Sequence, residues 1–228
     1  MAEYVVEFGK DGRAGGDGRL DAAAFHRNHA PIWAVLQPFL AGQTGDALEA
    51  GSGTGQHVVH FAANSPGIIW WPSDLNEAHL TSIAAWRAHA NLPNIRPPLR
   101  LDLSDPAWDA APASGDGPPK LLALFCANVI HIAPWRVAEG LFAGAGRALR
   151  DDGRLFLYGP FKRDGRHTSV SNAAFDASLR DNNPEWGVRD IADLEKLAAA
   201  NALRLAEIFE MPANNMILMF RRTDADQS

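Results

Sequence analysis

LEAGSGTGQH, at residues 48–57, follows a short apolar segment at 47–50 and precedes a pattern of apolar residues at helical spacing. Gly51, Gly53 and Gly55 stand at alternate positions of this stretch. Three glycines let the backbone turn sharply, and they let a ligand approach closely because no Cβ intervenes. A glycine-rich turn between a strand and a helix is typical of the first unit of an α/β sheet that binds a nucleotide-like ligand.

Strands and helices alternate along the rest of the chain, which predicts an α/β fold with a mostly parallel sheet covered on both faces. A helical pattern at 21–41 contains Pro31 and Pro38, so it predicts two short helices. The predicted strands lie at 47–50, 67–74, 99–103, 121–127, 154–161, 203–209 and 216–222. The last two are close enough to predict an antiparallel hairpin. Ligands of such sheets bind at the carboxyl ends of the strands.

The composition predicts a soluble, cytoplasmic protein with one domain at 21–228 and a flexible, glycine-rich arm at 1–20. Of the 228 residues, 46% are hydrophobic and 21% are charged, with a formal net charge of −6. This charge argues against a nucleic-acid partner. We expect no secretory signal and no membrane span, because the longest apolar stretch, 121–135, is short and interrupted by polar residues. The single cysteine, Cys126, excludes an internal disulfide.

The spacing of the glycines and a nearby acid favour S-adenosylmethionine over a dinucleotide. The glycines follow G-x-G-x-G, and Gln56 stands where a dinucleotide fingerprint has its third glycine. Glu49 lies two residues before the first glycine. A carboxylate would repel a pyrophosphate by about 1 kcal/mol or more at about 4 Å, and it would attract a sulfonium or ammonium group. The alternative is a tight turn that binds no ligand, with Glu49 in solvent.

Two further acids end the next two predicted strands. Asp74 stands 23 residues after Gly51, close to the spacing of about 20 for a ribose-binding acid. Asp102 ends the third strand, where its carboxylate would accept from an adenine amino group. Each acid taken alone is better explained as a helix cap or a turn residue. Three acids at consecutive strand ends favour an adenosyl ligand.

This pattern resembles the class I S-adenosylmethionine-dependent methyltransferases. Segments such as 26–32 (HRNHAPI), 71–76 (WPSDLN), 127–135 (ANVIHIAPW) and 211–215 (MPANN) are similar to one branch, small methyltransferase-like proteins of a domain family of unknown function. His29 and Ala30 depart from that branch. The resemblance implies a Rossmann-like, doubly wound, seven-stranded sheet with an antiparallel last strand. It implies a cofactor site formed by Arg27, Glu49, Gly51, Ser52, Gly53, Gly55, Asp74, Leu75, Asp102, Leu103 and Asn128.

The end of the fourth strand supplies the candidates for the reacting side. His131 is the candidate base, since an unperturbed imidazole has a pKa near about 6.5. The alternative is a histidine that caps the next helix beside Trp135. Substrate contacts are predicted for Trp135, Tyr158, Phe161, Asn214 and Asn215. The alternatives are core and rim positions for the aromatic residues and turn positions for the asparagines. Arg189 and residues 168–172 are further candidates, although helix capping explains Ser171 and Asn172 equally well.

We therefore predict an S-adenosylmethionine-dependent methyltransferase that acts on a small-molecule acceptor and releases S-adenosylhomocysteine. The alternatives are an NAD-type oxidoreductase and a non-catalytic protein that binds S-adenosylmethionine. No metal is expected, because His57, His60 and the other candidate ligands lack the spacing of a metal site. The oligomeric state and the identity of the acceptor stay open.

Overall fold

The structure is a computed structural model that describes residues 16–109 and 120–223. These residues form two compact units. Of the described residues, the first unit contains 16–102 with 120 and 121, and the second contains Leu103–Asp109 and 122–223. Most of the predicted arm, residues 1–15, lies outside the described residues. The assignment of 21–228 to one domain stays a prediction.

The first unit holds three helices and three strands. They are α1 (Ala23–Leu40), β1 (Gly45–Ala50), α2 (Gln56–Asn64), β2 (Ile68–Asp74), α3 (Glu77–Ala90) and β3 (Leu99–Arg100). β1 pairs with β2 in parallel, with Leu48 opposite Trp71. β2 pairs with β3 in parallel, with Asp74 opposite Arg100. The carboxyl ends of these strands therefore point the same way.

The second unit holds the rest of the large sheet and a small sheet. Its elements are β4 (Leu121–Ala127), α4 (Trp135–Ala148), β5 (Leu149–Gly159), β6 (Phe161–Arg163), β7 (Arg166–His167), α5 (Val170–Asn182), β8 (Arg189–Asp190), α6 (Ile191–Ala199), β9 (Leu203–Met211) and β10 (Asn215–Arg222). β10 is antiparallel to both β5 and β9, which confirms the predicted closing hairpin. β6 lies between β7 and β8 in a three-stranded sheet that the sequence did not predict.

The large sheet has seven strands in the order β3-β2-β1-β4-β5-β10-β9. The sheet is mostly parallel, and its closing strands are antiparallel. Along the chain, helices connect its parallel strands. The predicted α/β, Rossmann-like fold class is therefore confirmed. The small sheet escaped prediction because strands of two or three residues show no measurable alternation.

Buried apolar side chains hold each unit together. In the first unit Leu36 of α1 and Phe61 of α2 are fully buried, and the Phe61 ring lies 5.3 Å from Trp70 of β2. In the second unit Phe142 of α4 meets Phe220 of β10 edge to face at 5.0 Å. Burying side chains of this size contributes about 1.5–3 kcal/mol each, before losses in conformational entropy.

Three predictions of element boundaries were wrong. The third strand, predicted at 99–103, ends at Arg100, because the alternation of leucines continues beyond the residues that pair with β2. The 21–41 segment forms one helix that continues through Pro31 and Pro38, because each proline removes only one backbone hydrogen bond while Ile32, Trp33 and Leu36 stay buried. The fifth strand begins at Leu149 and not at 154. The polar residues 150–152 are typical of a loop, so the sequence placed the strand after them. They can belong to the strand because they are exposed or partly exposed, whereas the continuously buried part of β5 begins later, at Leu155.

Candidate functional site

The glycine-rich turn joins β1 to α2 with backbone angles that favour glycine. Gly51, Gly53 and Gly55 have φ values of 73°, 56° and 88°. Gly55 is also the residue that precedes the first turn of α2. A Cβ at Gly55 would lie 2.9 Å from the Cα of Ile83 in α3, which is closer than real Cβ atoms come. The turn therefore depends on glycine for both conformation and space.

Asp74, the last residue of β2, holds this turn in place. Its Oδ2 accepts a hydrogen bond of 2.9 Å from the backbone N–H of Gly53, and its Oδ1 accepts one of 3.0 Å from Asn76. A carboxylate has about four lone pairs in total, so capacity for further donors is left. Sequence reasoning proposed Asp74 as a ligand for ribose and did not foresee that it also supports the turn.

His79 of α3 is a neighbour of Asp74 that sequence reasoning missed. Its Nδ1 lies 3.1 Å from Oδ1 of Asp74, and the side chain is almost fully buried. The predicted apolar face of α3 contained Leu80, Ile83 and Ala84, but the structure buries His79, Ser82 and Ile83. The helical spacing of His79 and Ser82 with Ile83 was the available signal. It was overlooked because polar residues are more often exposed.

Glu49 is the most unusual side chain of the first unit. It is 2% exposed, and its Oε2 has no hydrogen-bond partner among the described residues. Burial raises the pKa of this carboxyl to about 8, and the charge of Asp74 raises it further, although contacts with Ser52 and the backbone of Val58 oppose the shift. The prediction that Glu49 would be in solvent, if no ligand bound, does not fit this burial.

Ser52 and Gln56 connect the turn to its surroundings. The Ser52 hydroxyl donates to the backbone oxygen of Glu49 at 3.2 Å and accepts from the Ser73 N–H at 3.1 Å. The Gln56 carbonyl oxygen accepts from the Ala22 N–H at 2.8 Å, directly before α1. These contacts explain why polar residues replace further glycines in this stretch.

The other predicted cofactor residues of the first unit lie at different depths. Arg27 is an exposed residue of α1, and Leu75 is partly buried beside Asp74. Asp102 is exposed and follows the last residue of β3 by two positions. The structure thus joins Glu49, Ser52, Gly53 and Asp74 through direct contacts, and no comparable contact to those residues is seen for Arg27.

In the second unit the chain turns sharply after β4. Asn128 has a φ of 60°, and its N–H donates to the carbonyl of Tyr158 at 2.9 Å. The residues that follow, 129–131, form a single 3-10 turn ending in His131. This places Asn128 and Tyr158 side by side at the ends of β4 and β5.

His131 is buried and its ring nitrogens have no hydrogen-bond partner among the described residues. The ring meets Phe161 edge to face at 5.1 Å, and a Cβ at Gly159 would lie 2.3 Å from its Nε2. Burial lowers the pKa of His131 to about 3, and the charge of Arg189 acts in the same direction. The alternative of a helix-capping histidine is wrong, because Pro134 occupies the cap position of α4.

The segment 187–189 holds the turn that carries His131. The Gly187 N–H donates to the His131 carbonyl at 2.8 Å. The Arg189 side chain donates to the carbonyls of Ile130 at 2.9 Å and Ala133 at 2.5 Å. The Arg189 guanidinium carbon also lies 5.7 Å from the ring centroid of Trp135. Arg189, a candidate for substrate contact, therefore supports the backbone on both sides of His131.

The remaining predicted substrate residues divide by burial. Tyr158 and Phe161 are buried, Trp135 is partly buried, and Leu103, a predicted cofactor residue, is buried. Asn214 donates to Ser171 at 3.3 Å, and its carbonyl accepts from Asn172 at 2.9 Å. Asn215 donates to the Pro212 carbonyl at 3.1 Å. The cap of α5 is Ser169, which accepts from the Asn172 N–H.

Two negative observations apply to the described residues. Within 16–109 and 120–223, no three His, Cys, Asp or Glu side chains form a group that would hold a metal ion. None of the helices in the same ranges has both the length and the apolar character that crossing a bilayer needs.

Solved structures with the same fold carry methyltransferase descriptions. An O-methyltransferase family protein from Burkholderia thailandensis has a TM-score of 0.70 at 15% identity, over 89% of this chain and 58% of that one. An O-methyltransferase family 2 protein from Planctomyces limnophilus, in complex with apigenin, has a TM-score of 0.68 at 16% identity, over 85% and 56%. A methyltransferase of calicheamicin biosynthesis, in its S-adenosylhomocysteine-bound form, has a TM-score of 0.63 at 16% identity, over 88% and 57%.

At these identities the likeness establishes the fold. This chain spans little more than half the length of the solved proteins that it matches. A family model matches residues 19–222 of this chain. That match confirms the resemblance to a domain family of unknown function. The chain belongs to the family described as Protein of unknown function (DUF938).

Proposed function

We propose that this protein is an S-adenosylmethionine-dependent methyltransferase acting on a small-molecule acceptor in the cytoplasm. The observation that supports the cofactor best is the buried, unpartnered Oε2 of Glu49 beside a glycine-rich turn. A buried carboxylate is costly without a cation or a set of hydrogen-bond donors. S-adenosylmethionine carries both an ammonium and a sulfonium group, so its charge suits this position.

The contacts of Glu49 also argue against a dinucleotide. The N-terminus of a helix after a glycine-rich turn binds pyrophosphate through its free backbone N–H groups. In this protein the Val58 N–H, in the first turn of α2, acts on the Glu49 carboxylate. A pyrophosphate there would compete for the same N–H group and meet a carboxyl group. This favours the methyltransferase over the NAD-type oxidoreductase.

The resemblance assigns the other cofactor contacts. Asp74 would accept from the ribose hydroxyls with the lone pairs that Gly53 and Asn76 leave available. Arg27 would bind the cofactor carboxylate, and Asp102 would accept from the adenine amino group. The remaining lining residues in this proposal are Gly51, Ser52, Gly55, Leu75, Leu103 and Asn128. When bound, the cofactor supplies an electrophilic methyl group and leaves as a neutral sulfide.

We assign the role of base toward the methyl acceptor to His131. Because burial lowers its pKa to about 3, the imidazole is neutral at pH 7 and has one N–H donor and one lone pair. It orients an acceptor through these groups and takes up a proton only as the acceptor loses it. Trp135, Tyr158 and Phe161 would provide the apolar contacts, and Asn214 and Asn215 would close the site.

One protein of the same fold supports a small-molecule acceptor, since it was solved in complex with apigenin. It is matched over little more than half of its length, so apigenin itself is not proposed as a ligand of this protein.

Isothermal titration calorimetry with S-adenosylhomocysteine and NADH tests the proposal. We expect S-adenosylhomocysteine to bind, NADH to show no binding, and Glu49→Gln to weaken S-adenosylhomocysteine about ten-fold or more at pH 8.5, where the native carboxyl is ionised. Glu207→Gln, at an exposed position of β9, is the matched control and should bind normally. Tight NADH binding without S-adenosylhomocysteine binding would reverse the assignment. Cofactor binding without turnover on any acceptor would favour the non-catalytic alternative.

A further inference from the structure

Arg189 of β8 is a partly buried cation whose hydrogen bonds all go to backbone carbonyls. Its Nε donates to Ile130, and its Nη2 donates to Ala133 and Glu185. The two N–H groups of Nη1 have no hydrogen-bond partner among the described residues, and no carboxylate there lies within 4 Å of the guanidinium. A partly buried guanidinium is stabilised by an anion that pairs with its free N–H groups.

The acids that are near Arg189 along the chain or in space bind other groups. Glu185 pairs with Arg136 at 3.4 Å. Asp190 accepts from the Ala192 N–H as the cap of α6 and from the Gly165 N–H. Neither carboxylate is therefore placed to balance Arg189.

Asp176 of α5 is shared among several donors. Its oxygens contact Lys162 at 2.9 Å, His167 at 3.3 Å and Arg180 at 3.3 Å, and one also accepts from the Val188 N–H. Burial lowers the pKa of Arg189, and the charge of Arg180 lowers it as well, which indicates that the two guanidiniums are close enough to repel each other. Lys162 and Arg180, two permanent cations, thus share Asp176, the carboxylate that acts on Arg189 in the described part of the chain.

Two other buried donors near this segment lack acceptors. Neither ring nitrogen of His131 has a partner at hydrogen-bond distance and angle among the described residues, although the backbone of Gly187 acts on the ring and opposes the lowering of its pKa. The indole N–H of Trp186, next to Gly187, has no partner there either. A buried donor without an acceptor is unfavourable, so these two donors favour a ligand that carries acceptor atoms.

From these contacts we propose that Arg189 binds a carboxylate group of a small-molecule ligand. The guanidinium carbon lies over the ring of Trp135, 5.7 Å from its centroid, and this ring would contact the apolar part of that ligand. Since the same side chain supports the turn that carries His131, the ligand is the methyl acceptor, and this last identification rests on the proposed function. The substrate class is then a small organic acid.

NMR titration of the whole protein with two pairs of probes tests the inference. Benzoate is compared with benzamide and acetate with acetamide, at low salt, with and without S-adenosylhomocysteine. Binding is followed by the indole N–H signal of Trp135, assigned with Trp135→Phe. We expect at least one carboxylate to bind about ten-fold more tightly than its amide, because only the carboxylate makes charge-assisted hydrogen bonds with the guanidinium.

Arg189→Lys keeps the charge and loses the planar pair of donors, so it should remove most of this preference. Arg136→Gln, on the neighbouring α4 surface, is the control and should leave the preference unchanged. Equal binding of acid and amide by the native protein, or a preference that survives Arg189→Lys, would overturn the inference. If Arg189→Lys does not fold, the comparison of carboxylate and amide binding by the native protein still tests the inference. Carboxylate binding without S-adenosylhomocysteine binding would uphold the Arg189 site and reject the methyltransferase proposal.

Discussion

Replacing Glu49 by glutamine should stabilise this protein, and more strongly as the pH rises. In the folded state burial raises the pKa of Glu49 to about 8, whereas the ordinary value is 4.5. The raised pKa favours folding fully below pH 4.5, and this contribution is lost as the pH rises through 8. Glutamine has nearly the same shape and stays neutral, so the variant avoids the loss.

The magnitude follows from the two pKa values. Linkage gives the loss in unfolding free energy that the Glu49 carboxyl causes, relative to a side chain that stays neutral. This loss is about 1 kcal/mol at pH 5, about 3 kcal/mol at pH 7 and between about 4 and 5 kcal/mol at pH 9. Glu49→Gln should therefore exceed the native protein in unfolding free energy by a margin that grows by about 4 kcal/mol between pH 5 and pH 9. A constant penalty for the new amide shifts all three values equally and leaves this growth unchanged.

Urea unfolding at pH 5, 7 and 9, followed by tryptophan fluorescence and circular dichroism, measures the effect. Trp70 and Trp71 lie in β2, beside the strand that carries Glu49, so they report on its unit. Glu207→Gln makes the same charge change at an exposed position and should show no such trend. If the margin for Glu49→Gln is the same at pH 5 and pH 9, the carboxyl is ionised at normal cost, and the reasoning from burial is refuted.

Two more predictions concern the same turn. Binding of S-adenosylhomocysteine at pH 7 should release about 0.9 proton from Glu49, because the carboxyl is mostly protonated before binding. The release is measured as the dependence of the calorimetric binding heat on the ionisation enthalpy of the buffer. Glu49→Gln should not release this proton, and equal release by both proteins would contradict the role of Glu49. Gly55→Ala should lower the unfolding free energy by about 3 kcal/mol, because the methyl group meets Ile83 and φ is 88°. The control Gly42→Ala, with φ of 74° and no atom within 4 Å, should cost about 1–2 kcal/mol in the same urea experiment, and equal losses would rule out the contact with Ile83.

Local patterns were sufficient for the order of elements. The apolar run 121–127 became β4, and the closing hairpin formed where two alternating segments stood six residues apart. The glycine turn also follows from sequence, because positive φ angles favour glycine. Each of these depends on a few neighbouring residues, and the sequence displays such neighbours directly.

Boundaries and polar partners could not be predicted in the same way. Pro31 and Pro38 would end an isolated helix, yet burial of Leu36 and its neighbours keeps α1 continuous. His79 is close to Asp74 along the chain, and it was missed because polar residues are more often exposed. In the small sheet β7 follows β6 directly, whereas β8 comes from a distant part of the chain. The continuity of α1 and the pairing of β6 with β8 therefore depend on contacts that no local window contains.

By itself the sequence determined the α/β class, the glycine-rich turn and the acids that follow the strands, since composition and short-range spacing encode backbone conformation. Tertiary structure alone decided which of those acids is buried and which side chains lack partners. Glu49 and Asp102 both lie at the ends of predicted strands, but only Glu49 is enclosed, and this burial raises the pKa of its carboxyl. Desolvation depends on all the atoms around a group, and the fold brings most of those atoms from distant parts of the chain.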